Sequence, residues 1–392
     1  MHDPIVIVGL ARTPIGGLLG DLSTHSASDL GGVAVKAALA QSGLAGENVD
    51  WIIMGNVLSA GQGQAPARQA AIKAGLPLSV QATTINKMCG SGMQAAIMGA
   101  NAIRAGEADI VVAGGMESMS RAPHLISTHR GGQKYGHDRL LDHMATDGLE
   151  DAYEGLPMGV YADRIAQRYQ FTRESQDAYA LETLARAQAA TASGAFVLEI
   201  ASVVTKGRAG DTICDTDELP SKARPDKIPS LKPAFTKDGT VTAANASAIS
   251  DGAAALVLMS QSEAHKQGIP VLATLISSAA HAHEPALFTT APVFAMKKAL
   301  DKAGWSINDV DLFEINEAFA VVPMIAMQEL SIPHSKINVN GGACALGHPI
   351  GASGARILAT LICALKARGL KCGMASLCIG GGEATAMCLE VA

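Results

Sequence analysis

The chain has 392 residues, too many for one ordinary core, and fits two or three domains. Apolar residues make up 48% and charged residues 17%, so much of the chain is expected to be buried; 41 glycines and 4% aromatics point to small side chains and closely approaching backbones. A net charge of −6 without a long Lys/Arg run argues against a nucleic-acid surface, and no apolar run approaches the ~18 residues of a membrane span.

Met1-His2-Asp3-Pro4 lacks the basic start of a signal peptide and leads into a strand-like run, Ile5–Gly9. Next come a helix ending at Gly43 and a strand from Val49-Asp50. A strand entering Thr84-Ile85-Asn86, a small-residue helix from Gly92 to Ala105 and a strand over Ile110–Gly115 complete a first unit. Arg121–Asp151 reads as loop. Thr172 reads as the N-cap of a helix opened by Arg173-Glu174-Ser175, and the Pro-rich stretch from Lys206 to Lys237 reads as loop again. The second half repeats the first. Lys297–Gly304 followed by Val310-Asp311 mirrors Lys36–Gly43 followed by Val49-Asp50; a strand over Ile337–Asn340, a helix over Ala352–Ala367 and a strand over Ala375–Gly380 follow, with an insertion around Gly341–Gly351. The expected fold class is α/β: two duplicated βαβ-rich domains with mixed or largely parallel sheets, plus a loop domain. Seven scattered cysteines, an odd number, suit a cytoplasmic protein with reduced thiols; Cys344, Cys363, Cys372 and Cys388 read as inert core residues.

Four segments carry chemistry. Asn86-Lys87-Met88-Cys89-Gly90-Ser91-Gly92 puts a cysteine where a strand ends and a helix starts, and the helix dipole is expected to favour its thiolate. Gly347-His348-Pro349-Ile350-Gly351 pins a histidine in a turn, from which its neutral form can take a thiol proton. Cys378-Ile379-Gly380-Gly381-Gly382 ends the last strand, where free glycine N–H groups can bind an oxyanion. Asn316-Glu317-Ala318-Phe319-Ala320 follows an apolar strand, and Asn316 can orient a water or donate to a substrate oxygen. Taken singly, Cys89 and His348 equally suit helix-capping roles, and for Asn316 alone the helix N-cap is the stronger reading. His281-Ala-His283 has ligand-like spacing but no third ligand nearby in sequence, and no metal is expected.

Together, NKMCGSGMQA around Cys89, AGGMESMS at 113–120, NEAFA at 316–320, NxNGGACALGHPIGASGAR at 338–356 and CIGGG at 378–382 resemble the thiolase family over essentially the whole chain. The resemblance implies a fold of alternating helix and sheet layers: residues 1–119 as an N-terminal domain completed by about 249–270, 120–248 as an inserted loop domain that binds coenzyme A, and 271–392 as the C-terminal domain. It implies Cys89 as the acylated nucleophile, His348 as its base and Cys378 as the acid/base that removes an α-proton. Asn316 with His348 resembles one oxyanion hole, and the amides of Cys89 and Gly380 a second. Ser247 resembles a pantetheine contact, and Met158, Phe235, Phe288 and Phe319 resemble the walls of the acyl and pantetheine pocket. Lys222, Arg224 and Lys227 are candidates for phosphate contacts. No permanently bound cofactor is implied. The substrates are coenzyme A thioesters, namely acetyl-CoA condensing to acetoacetyl-CoA, and the assembly is a homo-oligomer, a dimer or a dimer of dimers.

The chain departs from the family pattern in places. Leu156-Pro157 precede Met158 where a histidine is usual in the biosynthetic subgroup, Phe288 is followed by Thr289, and Glu383 is a departure after the triple glycine. A degradative 3-ketoacyl-CoA thiolase of broader chain length shares all four catalytic side chains and stays open. A β-ketoacyl synthase-like site would use histidine in place of Cys378. An inactive lipid-carrier relative would be expected to have lost one of Cys89, His348 and Cys378.

Overall fold

The structure, a computed structural model, describes residues 3–207 and 210–392. Met1 and His2, which open the N-terminal reading above, and two residues of the stretch from Lys206 lie outside the described residues. The first half runs β1 (Ile5–Arg12), α1 (Ala27–Ser42), β2 (Trp51–Gly55), α2 (Pro66–Lys73), β3 (Gln81–Ile85), α3 (Ser91–Ala105) and β4 (Ile110–Ser118). A long insertion with α4 (Met158–Arg168) and α5 (Arg173–Ala192) returns as β5 (Ser250–Ser260). The second half runs β6 (Ala273–Ala282), α6 (Ala291–Ala303), β7 (Leu312–Ile315), α7 (Val321–Leu330), α8 (Ser353–Arg368), β8 (Cys372–Ile379) and β9 (Glu383–Val391). Local signals set these limits. Ser26 and Asp29 form a capping box at the start of α1, Thr172 accepts from Ser175 N at the start of α5, and α1 and α6 stop at left-handed Gly43 and Gly304.

The strands lie in the order β7-β8-β9-β6-β1-β5-β4-β2-β3, with Gly16–Gly17 pairing the start of β5. The duplication is visible in this order: β1-β5-β4-β2 in one half corresponds to β6-β9-β8-β7 in the other. The sheets are mixed. β2 is parallel to β3 and β4, and β7 to β8, but β5 runs antiparallel to β1 and β4, and β9 antiparallel to β6 and β8. For β8 and β9 the reason is the three-glycine connection, which can only close an antiparallel pair. The strand expected over Ile337–Asn340 is reduced to one bridge between Ile337 and Phe313. Asn338, at φ 45°, instead uses its side chain on Ile315, accepting from its N–H at 2.9 Å and donating to its C=O at 2.8 Å.

Helix α1 covers one face of the first sheet and α6 the corresponding face of the second, while α3 and α8 are packed together in the middle. Leu258 and Val111 from the first half share this central core with Leu361, Leu377 and Leu389 from the second. The two central helices meet at their first turns. A Cβ on Gly92 would lie 2.7 Å from Ala355 N, and one on Gly354 would lie 2.3 Å from Met93 N. These glycines permit the approach that places the loops preceding α3 and α8 side by side. Among the described residues no helix is long and apolar enough to cross a membrane.

Candidate active site

The loop before α3 carries Cys89 and the loop before α8 carries His348, so the contact of these helices brings thiol and imidazole to one place. Strand β8 delivers Cys378 near its end. All three line a mostly apolar cavity of about 400 Å³ together with Gly380 and Ser247. Met158, Phe235, Phe288 and Phe319 form its walls. Phe319 meets Phe235 and Phe288 edge-on, at ring-centre distances of 6.0 and 6.2 Å, and the bare Cα of Gly159 makes room for Phe235.

Cys89 sits in a tight turn. Met88 is held at φ 47° by an Asn86 side chain that accepts from its N–H, and Ser91 Oγ donates to Met88 O at 2.6 Å. Burial pushes the Cys89 thiol up to about 11, against the amide N–H groups of Gly380 and Cys89 itself, which favour the thiolate; the Glu117 charge raises it further. The expected dipole-stabilised thiolate is thus not the resting state. The turn amides that would have supplied it are already used, Gly90 N donating to Lys87 O and Ser91 N to Met88 O.

His348 is buried, and burial together with the Arg356 charge lowers its pKa to about 3, so its ring is neutral. Its Nδ1 lies 2.6 Å from Ser353 Oγ, and that hydroxyl donates its one proton to Pro349 O at 3.0 Å. The hydroxyl therefore accepts from Nδ1–H, which leaves Nε2 unprotonated. Asn316 Nδ2 approaches Nε2 at 3.5 Å, and Asn316 Oδ1 is buried with no partner among the described residues. Burial and the neighbouring Cys89 push the Cys378 thiol well above the usual cysteine range.

Sequence reasoning gave no role to Ser353 or to Glu117. Glu117, fully buried, accepts from Asn56 Nδ2, Val57 N, Leu58 N and Gly351 N at 2.8–3.1 Å and so ties the histidine loop to the end of β2. An acidic residue inside the AGGMESMS run was the available signal. Lys222, Arg224 and Lys227 do not reach the cavity wall; they are largely exposed and pair with Glu218 or Asp226. His281 and His283 are 5.0 Å apart; His281 faces Lys298 and His283 the Leu287 carbonyl.

Fold and cavity define an α/β protein with two cysteines and one neutral histidine facing a mostly apolar pocket. It matches the thiolase N-terminal domain over residues 5–262 and the thiolase C-terminal domain over 269–391, and the chain belongs to the thiolase family. It is 49% identical to an acetyl-CoA acetyltransferase of Rhizobium meliloti over 100% of both chains, and 50% identical to one of Cupriavidus necator over 98% of this chain and 99% of the relative. Its fold is similar to a solved thiolase of Ascaris suum in complex with coenzyme A (TM-score 0.94, 44% identity, 99% of this chain and 100% of that one). A Bacillus anthracis acetyl-CoA acetyltransferase gives a TM-score of 0.97 at 39% identity, covering 100% of this chain and 99% of the other.

Proposed function

We propose that the chain is an acetyl-CoA C-acetyltransferase that condenses two acetyl-CoA to acetoacetyl-CoA and coenzyme A, and runs the reverse thiolysis. The carrying observation is the convergence of Cys89, His348 and Cys378 on one apolar cavity with the Gly380 amide turned to the Cys89 sulfur. Cys89 Sγ attacks the thioester carbonyl as its proton passes to His348 Nε2. The oxyanion is met by the N–H groups of Cys89 and Gly380, each donor being worth about 3–4 kcal/mol in such sites. The C–S bond to coenzyme A breaks, and its thiolate leaves with the proton of Cys378. Cys378 thiolate then takes the α-proton of a second acetyl-CoA, and its high proton affinity suits a carbon acid. The enolate, facing Asn316 and His348, attacks acetyl-Cys89. Acetoacetyl-CoA departs, and the Cys89 thiolate recovers its proton from His348. Every group ends as it began.

The relatives' names and the closely spaced aromatic walls favour a short acyl group over the broader degradative reading. Residues 120–248 supply Met158, Phe235 and Ser247 to the cavity and are the segment we assign to coenzyme A. The edge of β3 away from β2 carries no partner strand among the described residues, which supports a homo-oligomer, to be checked by light scattering. A cytoplasmic location with reduced thiols completes the reading. Its test is acid-quenched mass spectrometry after incubation with acetyl-CoA: native protein and Cys378→Ala carry an acetyl group on Cys89, and Cys89→Ala carries none. An adduct on Cys378, or none in the native protein, refutes it.

A further inference from the structure

The Gly380 amide faces the Cys89 sulfur from a connection made only of glycines, Gly380-Gly381-Gly382, two of them at positive φ. Such a chain has the widest conformational freedom available to a backbone, yet an oxyanion donor works only when it is held in place. On its far side the connection is fixed, because His283 N donates to Gly382 O at 2.9 Å and a Cβ on Gly382 would strike the His283 carbonyl. Toward Cys89 the contacts are fewer. A Cβ added at Gly381 would meet nothing within 4 Å, and one at Gly380 would come no closer than 3.8 Å to its nearest neighbours, the flexible Met88 and Met158 side chains. Besides the Gly380 amide itself, two contacts tie this hairpin to the Cys89 turn. Ile379 lies against the bare Cα of Gly90, and Glu383, paired with Ile379 across the β8–β9 ladder, forms an ion pair with Lys87. Lys87 stands two residues before Cys89, and Glu383 three residues after Gly380. The pair therefore spans the two loops that carry the two oxyanion donors.

We propose that Lys87 and Glu383 form a clasp that holds the triglycine hairpin on the nucleophile turn, so that the Gly380 and Cys89 amides converge on the acyl oxygen. They are positioning residues, touching neither substrate nor sulfur, and the assignment rests on the acyl-transfer reading above. Their side chains are 24% and 35% exposed, so the pair is accessible to salt and its contribution modest.

The test uses the full chain with Lys87→Met, Glu383→Gln and the exchanged pair Lys87→Glu/Glu383→Lys, and follows acetylation of Cys89 by acetyl-CoA with rapid acid quench and mass spectrometry. Each single variant is expected to acetylate about fivefold more slowly, with the acetyl-CoA concentration for half-maximal rate unchanged within about twofold. The exchanged pair recovers most of the rate, and salt near about 1 M slows the native protein toward the single variants without slowing those further. A merely structural role predicts a lowered melting temperature with neither rescue nor salt dependence. Single variants acetylating at the native rate, a change confined to acetyl-CoA affinity, or an exchanged pair no better than the singles overturns the clasp. A variant that does not fold also overturns it, since a partly exposed pair with a positioning role is dispensable for folding. Failure of the native protein to acetylate instead refutes the acyl-transfer reading itself.

Discussion

Ser353→Ala removes one oxygen atom and should disable the proposed base, His348, without touching any group of the proposed reaction. In the native site the Nδ1–H of His348 has one acceptor among the described residues, Ser353 Oγ at 2.6 Å, inside a region where Ser353 is 0% exposed. Without it, a buried N–H is left unpaired, at a cost of about 1–3 kcal/mol. The ring avoids this cost by moving its proton to Nε2, the nitrogen that has to receive the proton of Cys89. The productive tautomer falls by the same free energy, which is about 5- to 150-fold. Single-turnover acetylation of Cys89 should slow correspondingly, with the dependence on acetyl-CoA concentration little changed. Ser353→Thr, which keeps a hydroxyl, should retain more of the rate than alanine provided the helix start accommodates its methyl group. The measurement is rapid-quench mass spectrometry beside circular dichroism to establish that the fold is intact. A folded Ser353→Ala protein that acetylates within about twofold of the native rate would show that the tautomer is set by something else.

Three further outcomes follow from the same geometry. Burial depresses the His348 pKa to about 3, below the unfolded value of about 6.5, so its stabilisation is full above pH 6.5 and is lost as pH falls toward 3; chemical denaturation should show native protein losing about 2 kcal/mol more than His348→Asn between pH 7.5 and 5, and equal losses would contradict it. Gly92→Ala, whose Cβ would lie 2.7 Å from Ala355 N, should destabilise the fold by about 1–3 kcal/mol and weaken acetylation by parting the Cys89 and His348 loops; a native melting temperature would show that the helices can move apart freely. Because the Cys89 thiol is pushed up to about 11, iodoacetamide should modify it slowly at pH 7 and about tenfold faster with each pH unit up to that value; rapid labelling at neutral pH, with mass mapping to Cys89, would restore the dipole-stabilised thiolate.

Local chemistry made much of this protein legible in one dimension. The helix starts at Ser26 and Thr172 are written in side chains that cap their own neighbours, the helix ends at Gly43 and Gly304 in glycines that take a left-handed backbone, and the duplicated chain repeats the glycine stop. The proposed reactive positions were legible only together: the Cys89, His348 and Cys378 segments each join a chemical side chain to small or turn-forming neighbours, and in combination they carry the family motifs. Tertiary structure decided what depends on distant partners. Whether Cys89 rests as a thiol is set by desolvation and by which amides remain free, and neither is encoded in its neighbours along the chain. The strand expected over Ile337–Asn340 was lost to an Asn338 side chain that captures the ladder of Ile315, a competition visible only once β7 lies beside it. The antiparallel direction of β9 against β8 followed from a connection too short to cross over. The roles of Ser353, Glu117 and the Lys87–Glu383 pair arise from contacts across 5, 234 and 296 residues of chain, because a buried polar group takes its meaning from the partner that folding brings to it.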